Sequence, residues 1–214
     1  MTIRGTEQRD ADGNFFNSEG EVYGKHMIDE NWYYHAEVEG TYNKATLPYM
    51  VNEGKYSYFS KIVTQEVDKI INVPILKNAG SSVTLCMKNL AFGSITNTSR
   101  LHASLWAETC AEVNAFPPLR DKVVLNIVDG MKGCFNGGPG ANPQFFTNYN
   151  TLLVGTDPVA VDRIGYEIVL AKRLEEKIQE KEVPSALRFM ELSESLGLGT
   201  ADRAKISLKT LNLS

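Results

Sequence analysis

The chain has 214 residues, 43% of them hydrophobic, with 22 basic and 26 acidic side chains and a formal charge of -4. Such a chain buries roughly 70% of the surface that it exposes when unfolded. We therefore expect one large core that needs no disulfide bonds for its stability. The slightly negative charge gives no general attraction to nucleic acid or to an acidic membrane. No apolar run approaches the length of a membrane span, and the polar start "MTIRGTEQRD" has no signal-peptide pattern. We therefore expect a soluble chain, and its localisation stays open.

The three cysteines are widely spaced and odd in number, at Cys86, Cys110 and Cys134. This spacing fits neither a disulfide framework nor a CxxC metal or cluster motif. We expect ordinary core or surface residues and no iron-sulfur cluster.

Residues 1–60 are rich in turn-forming residues and have little periodicity, apart from one alternating stretch, "NWYYHAEVEGTYN". From residue 61 strands and helices alternate, which is typical of an α/β fold. The predicted elements are a strand at 69–76, a helix at about 98–113, and strands at 122–128 and 151–155. The fold class that we predict is α/β, with a mixed, partly parallel sheet flanked by helices. Residues 1–60 would form an irregular N-terminal lobe or insertion, and 61–214 the α/β domain.

The C-terminal part carries the clearest helix. Asp157 is a typical N-cap, Pro158 suits the first helical position, and apolar residues recur at helical spacing up to Ile178. A second helix is predicted near 184–195, and "KISLKTLNL" at 205–213 is predicted to be a closing strand.

Polar residues follow three of the predicted strands, and functional residues in open α/β sheets gather beyond strand ends. They are Lys77 and Asn78, then Asp129 with Gly130, and finally Thr156 with Asp157. Gly137 and Gly138 lie in a glycine-rich loop after the second of these strands. Each residue also has a structural interpretation as a helix cap, a turn or a solvated strand end. Their recurrence favours one shared binding edge.

Lys88 lies in an apolar segment, where a buried ammonium needs an anion nearby. Asp129, Asp157 or Asp162 would make a structural ion pair. A bound phosphate or carboxylate would instead make a ligand site. Both interpretations stay open.

Arg100 and His102 lie near the predicted start of the helix at 98–113, with Asn97 or Thr98 as the N-cap. A helix start can receive an anion, and histidine can act as general acid or base near neutral pH. A surface role for His102 is the alternative. His26 and His35 have no metal-ligand spacing around them.

Two other patterns carry little weight. Asp10, Asp12, Asn14, Ser18 and Glu21 have the spacing of a calcium loop, but its sixth position is Phe15 rather than glycine. The loop "GGPG" at 137–140 lacks both the Walker and the GxGxxG spacing, so we interpret it as a lid or a tight turn.

Four segments in order resemble the family called domain of unknown function 362. They are "DKIINVPILKNAG", "SVTLCMKNLAFGSITNTSRLH", "LNIVDGMKGCFNGGPG" and "LLVGTDPVAVDRIG", over about residues 60–170. The family pattern has Lys-Asp-His where this chain has Lys77, Asn78 and Ala79, so an acid and an imidazole are absent here. The resemblance carries over to the following positions: Lys88, Asn89, Arg100, His102, Asp129, Gly130, Asp157 and Asp162.

The resemblance implies no agreed activity. Some members carry cysteine runs for iron-sulfur clusters, which this chain lacks, and others resemble exported proteins with more sequence upstream. That upstream part would supply the first strands of the sheet, so we expect an exposed sheet edge and homo-oligomers through it.

Two functional classes follow from these residues. The first is an enzyme on a small anionic substrate, in which Lys88, Asn89, Arg100, Lys77, Gly137 and Gly138 hold the anion and His102 carries a proton. Asp129 would then act as base, and Asp157 and Asp162 as ligands of a divalent cation. The second is a non-catalytic binding or accessory protein, in which the same charges form a structural network.

Overall fold

The structure is a computed structural model that describes residues 8–9, 15–16, 22–23, 27–38, 55–98 and 100–212. The residues of the calcium-like spacing and His26 lie outside these described residues. The chain divides into two compact units. The first contains residues 1–71 and 87–124, and the second contains residues 72–86 and 125–214.

The first unit contains two small antiparallel sheets. One has the order β1-β2-β3, and the other is the hairpin of β4 and β5. The strands are β1 (Gln8–Arg9), β2 (Phe15–Phe16), β3 (Val22–Tyr23), β4 (Ile28–His35) and β5 (Tyr56–Ser60). The hairpin pairs Ile28 with Ser60 and His35 with Tyr56. Its β-branched and aromatic residues suit a half-buried pleated surface, and Ile28 packs with Tyr58 in a small core.

Four α-helices lie in or at the boundary of the first unit, after β5 and three strands of a second sheet in the chain. They are α1 (Cys86–Ser94), α2 (Leu101–Ser104), α3 (Trp106–Ala115) and α4 (Pro117–Arg120). The sequence did not predict α1. The predicted helix at 98–113 was wrong as a single element, because the backbone breaks at Leu105 between α2 and α3. Pro117 begins α4, where a missing backbone N–H costs no helical hydrogen bond.

The second unit contributes most of the residues of a six-stranded sheet. Its order is β10-β9-β7-β8, and β11 and β6 also pair with β9. The strands are β6 (Ile70–Asn72), β7 (Ile75–Ala79), β8 (Ser82–Val83), β9 (Val123–Cys134), β10 (Phe146–Thr147) and β11 (Thr151–Gly155). β7 is parallel to β9, whereas β10 and β11 are antiparallel to it. The predicted mixed, partly parallel sheet flanked by helices is therefore confirmed.

Several predicted boundaries were wrong. The strand at 69–76 is broken around Pro74, which cannot donate to a ladder, so Lys77 and Asn78 lie inside β7 rather than after it. β9 continues past residue 128, so Asp129 and Gly130 also lie inside a strand. Residues 205–212 contain no strand.

The predicted C-terminal helices are present as α5 (Pro158–Glu175) and α6 (Arg188–Ser195). α5 ends before Ile178, which was expected to continue it. α5 packs against β7, β8 and β11. A Cβ atom on Gly165 would lie 2.3 Å from Leu85 Cδ1, after β8, and 3.3 Å from Leu76 Cδ1, on β7, so glycine permits the close approach of α5 to both. None of the helices in the described residues has the length and apolar character needed to cross a membrane.

Candidate functional site

Lys88 and His102 both lie close to one phenyl ring in the first unit, that of Phe92. Lys88 is in the first turn of α1, and Phe92 follows it by four residues, on the same helical face. The Lys88 Nζ lies 5.4 Å from the centroid of the Phe92 ring, and the His102 ring centroid lies 4.4 Å from it. We call Lys88, Asn89, Phe92 and His102 the Lys-His surface. Lys88 is half-buried rather than fully buried, and Asn89 and His102 are exposed.

The orientation of the His102 ring is set by a backbone carbonyl. Its Nδ1 lies 2.9 Å from the oxygen of Thr98. A carbonyl oxygen only accepts, so Nδ1 carries the proton in the neutral ring and Nε2 is left as an acceptor. The pKa of His102 is lowered by partial burial of the ring and by the positive charge of Lys88, which outweigh the opposing Thr98 bond. His102 is therefore a neutral base near pH 7.

Arg100 is a structural residue of the first unit. It is only 4% exposed, and its guanidinium donates to the carbonyl oxygens of Ala36 and Lys55 and to Ser57 Oγ. These bonds tie the end of β4 to β5. Arg100 lies at a helix start, as predicted, but it occupies the N-cap position that was expected for Asn97 or Thr98. The helix differs too, because α2 has only four residues and supplies no long helix dipole.

Asp162 lies in α5 and is fully buried. Its carboxylate accepts a hydrogen bond of 2.6 Å from the backbone N–H of Cys86, the first residue of α1. Burial raises the pKa of the Cys86 thiol, and the charge and hydrogen bond of Asp162 raise it further. The thiol therefore stays protonated and hydrogen-bonded, and it is no nucleophile at neutral pH.

Asp157 is the N-cap of α5, as the sequence predicted. Its Oδ1 accepts from the backbone N–H groups of Val159 and Ala160 at 2.9 and 2.8 Å. Its Oδ2 accepts from the backbone N–H of Thr200 at 2.9 Å. Both carboxylate oxygens are thus used to hold backbone, and one of them joins the start of α5 to a segment 43 residues away.

Asn78 and the glycine-rich loop meet in the second unit. The N–H of Gly138 donates to Asn78 Oδ1 at 3.3 Å, and a Cβ atom on Gly138 would lie 2.0 Å from the carbonyl oxygen of Asn78. Gly137 has a φ of +68°, which side-chain-bearing residues rarely adopt. The loop therefore docks on β7 beside Lys77, as its position after a neighbouring strand suggested.

Asp157 does not share that edge of the sheet. β11 is antiparallel to β9, with Gly155 opposite Asn126, whereas Lys77 lies opposite Cys134. Eight residues of extended β9 separate these two points, or roughly 26 Å. Asp129 lies between them, paired with Ile75 and Leu152, and its carboxylate accepts from the Met131 N–H. The expected convergence of three strand ends on one edge was therefore wrong.

The predicted site residues fall into separate groups. Lys88, Asn89, Arg100 and His102 belong to the first unit, and the second unit contains the others: Lys77, Asp129, Gly137, Gly138, Asp157 and Asp162. Among the described residues, no group of three or more His, Cys, Asp or Glu side chains could hold a metal ion. Sequence reasoning missed Phe92, and it considered Thr98 only as a helix cap and not as the partner of His102. The i, i+4 spacing to Lys88 would have indicated Phe92, had α1 been recognised.

Comparison with protein-family models finds a match over most of the chain. The model described as Domain of unknown function (DUF362) matches residues 21–167. Comparison with curated proteins and with solved structures finds no match.

Proposed function

The chain belongs to the DUF362 family, and we propose that it binds a small anionic ligand at the Lys-His surface, with His102 as the proton carrier. The observation that carries the proposal is the 2.9 Å contact between His102 Nδ1 and the Thr98 carbonyl. It assigns the proton of the neutral ring to Nδ1 and leaves Nε2 able to accept a proton from a ligand.

Lys88 supplies the positive charge of the proposed site. It lies against the same phenyl ring as His102, and its charge disfavours protonation of His102. A phosphate or carboxylate bound beside both groups would offset that repulsion. His102 would then take up a proton when the anion binds. The exposed side chain of Asn89, next to Lys88, would donate a further hydrogen bond.

The carboxylates of the second unit are not part of this proposal. Asp157 and Asp162 already accept hydrogen bonds from backbone N–H groups, which is the usual way to stabilise a buried or half-buried carboxylate. A divalent cation at these two residues would compete with those bonds. An anion could also bind at Lys77 and the Gly137–Gly138 loop. The NMR titration described next distinguishes that site from the Lys-His surface.

The test is an NMR titration of the histidine side chains with and without inorganic phosphate. We expect His102 to show the Nδ1–H tautomer and a pKa below 6.5, and we expect phosphate to raise that pKa. Lys88→Met should abolish the effect of phosphate, whereas Lys77→Met should leave it intact. His35, an exposed histidine on β4, is the internal control and should not respond. A phosphate response that survives Lys88→Met but not Lys77→Met would place the ligand at the glycine loop instead.

A thermal-unfolding screen would then identify the ligand class among phosphorylated compounds, carboxylates and nucleotides. A ligand at a hundred times its dissociation constant stabilises the folded chain by about 2.7 kcal/mol, which raises the midpoint of a chain of this size by about 5 to 10 °C. His102→Gln should remove that shift for a ligand that exchanges a proton with the ring.

A second candidate function is a non-catalytic accessory protein whose charges form a structural network. The observation in its favour is that Arg100, Asp157 and Asp162 all bind backbone groups. The two candidates differ at Lys88. If Lys88→Met lowers the free energy of unfolding by about 3 kcal/mol or more, as breaking a buried pair does, the accessory role is favoured. If the variant is as stable as the wild type but no longer responds to phosphate, the binding role is favoured.

A further inference from the structure

One face of the sheet in the second unit is apolar and exposed. Four large side chains on this face, and Val73 in the connection between β6 and β7, are between 50% and 63% exposed. They are Val73, Ile75, Met131, Leu152 and Val154. We call this set the outer face.

The strand register makes the outer face contiguous. Ile75, Asp129 and Leu152 form one cross-strand row, and Ile127 and Val154 form the next. Residues directly opposite on neighbouring strands point to the same side of the sheet. The opposite side faces inward, because Leu76 and Val128 are fully buried and α5 packs against β7 and β11. The described residues of the second unit thus cover the sheet on one side only.

The outer face has the size of an interface core. Five large side chains that are about half exposed present on the order of 400 Å² of apolar surface. A standard interface buries about 800 Å² on each partner, a little more than half of it nonpolar. The outer face alone would supply nearly all of that nonpolar part.

We propose that a second copy of this chain covers the outer face, so that two sheets stack face to face about a two-fold axis. Charge on this face is sparse, which supports that occupant. Its two paired rows contain one ionisable side chain, Asp129, and Lys77 follows Ile75 by two residues on the same side of β7. A nucleic acid or a strongly charged protein would find only these two opposite charges there. An isologous dimer needs only one apolar patch that meets itself, and this face provides one.

Face stacking differs from the edge pairing that an unpaired strand would allow. β11 pairs with β9 alone among the described strands, and β8 pairs with β7 alone, so an edge-paired dimer would join copies of β11 or of β8. Ile75 lies on β7, between β9 and β8, and would be outside such an edge contact. Substitution of Ile75 therefore separates the two arrangements.

The experiment is analytical ultracentrifugation of the purified chain over a range of concentrations. We expect a concentration-dependent dimer, a dissociation constant raised at least about tenfold by Ile75→Glu, and a similar effect of Val154→Lys. Ile178→Glu is the matched control, because Ile178 is 40% exposed and lies beyond α5, and it should leave the dimer unchanged. A wild-type chain that stays monomeric at every concentration overturns the proposal, as does a dimer that Ile75→Glu leaves intact.

A second measurement keeps the test valid for variants of lower stability. Because a dimer is stabilised by mass action, the thermal midpoint of the wild type should rise with protein concentration. The thermal midpoint of Ile75→Glu should stay the same at every protein concentration. Equal concentration dependence in both chains would contradict the face-stacked dimer.

Discussion

The carboxylate of Asp162, inside α5, accepts a hydrogen bond from the backbone N–H of Cys86, where α1 begins. The two residues are 76 positions apart in the chain. The first N–H groups of a helix have no partner within the helix, so a buried helix start needs an acceptor from elsewhere. Asp162 provides that acceptor, which gives a structural reason for an acidic residue at a fully buried position.

Asp162→Ala should lower the free energy of unfolding by about 3 kcal/mol, because it leaves a buried N–H without its charged acceptor. Asp162→Asn should cost less, since an amide oxygen can still accept. Urea denaturation measures both values. Glu167→Ala, on the same helix but at a partly exposed surface ion pair, is the control and should have a much smaller effect. Equal stability of Asp162→Ala and the wild type would show that the cap contributes nothing.

Asp157→Ala should lower the free energy of unfolding by about 2 kcal/mol, at the upper end of the range for a helix cap. The reason is that three backbone N–H groups lose their acceptor, including that of Thr200 outside the helix. Asp157→Ser should retain part of the cap but not the bond to Thr200. Hydrogen exchange at Thr200 should therefore increase in both variants, and unchanged exchange there would contradict this role.

Arg100→Lys should destabilise the first unit by about 2 to 4 kcal/mol, although the charge is kept. Lysine cannot reproduce the planar fork that reaches Ala36, Lys55 and Ser57 together. Thermal unfolding checks the loss. Arg120→Lys is the matched control, because Arg120 is exposed and pairs with its neighbour Asp121. If the two variants unfold at the same midpoint, the buried guanidinium has no special structural role.

The stability of the protein should decrease in mildly acidic solution partly because of His102. Its pKa in the folded chain lies below the ordinary value of 6.5, so the unfolded chain takes up the proton first as the pH falls. The contribution of His102 is therefore complete above 6.5 and is lost as the pH falls from 6.5 through the folded pKa.

Urea denaturation between about pH 8 and pH 5 would measure this contribution. His102→Gln should lose less stability on acidification than the wild type. Parallel pH profiles for the wild type and His102→Gln would show that the pKa of His102 is the same in both states.

Some features of this protein could be predicted from short stretches of sequence. Asp157 was recognised as an N-cap and Pro158 as the first helical residue, because both effects act within one helical turn. β11 was predicted with its observed bounds, since a short apolar run between turn residues suffices to indicate a strand. The four ordered motifs also sufficed to place the chain in its family.

Other features depended on which segments meet in space. The alternating pattern of strands and helices suggested a shared edge for Lys77 and Asp157, but the antiparallel pairing of β11 with β9 separates them. Arg100 looked like a ligand residue until its three acceptors on the hairpin were known.

The sequence by itself determined the local elements and the kinds of side chain available for binding. Only the tertiary structure decided which of those side chains are used to hold backbone, as Asp162 does, and which remain exposed, as His102 does. The physical reason is that helix caps and strands form from neighbouring residues. Strand direction and buried hydrogen bonds instead depend on contacts between residues far apart in the chain.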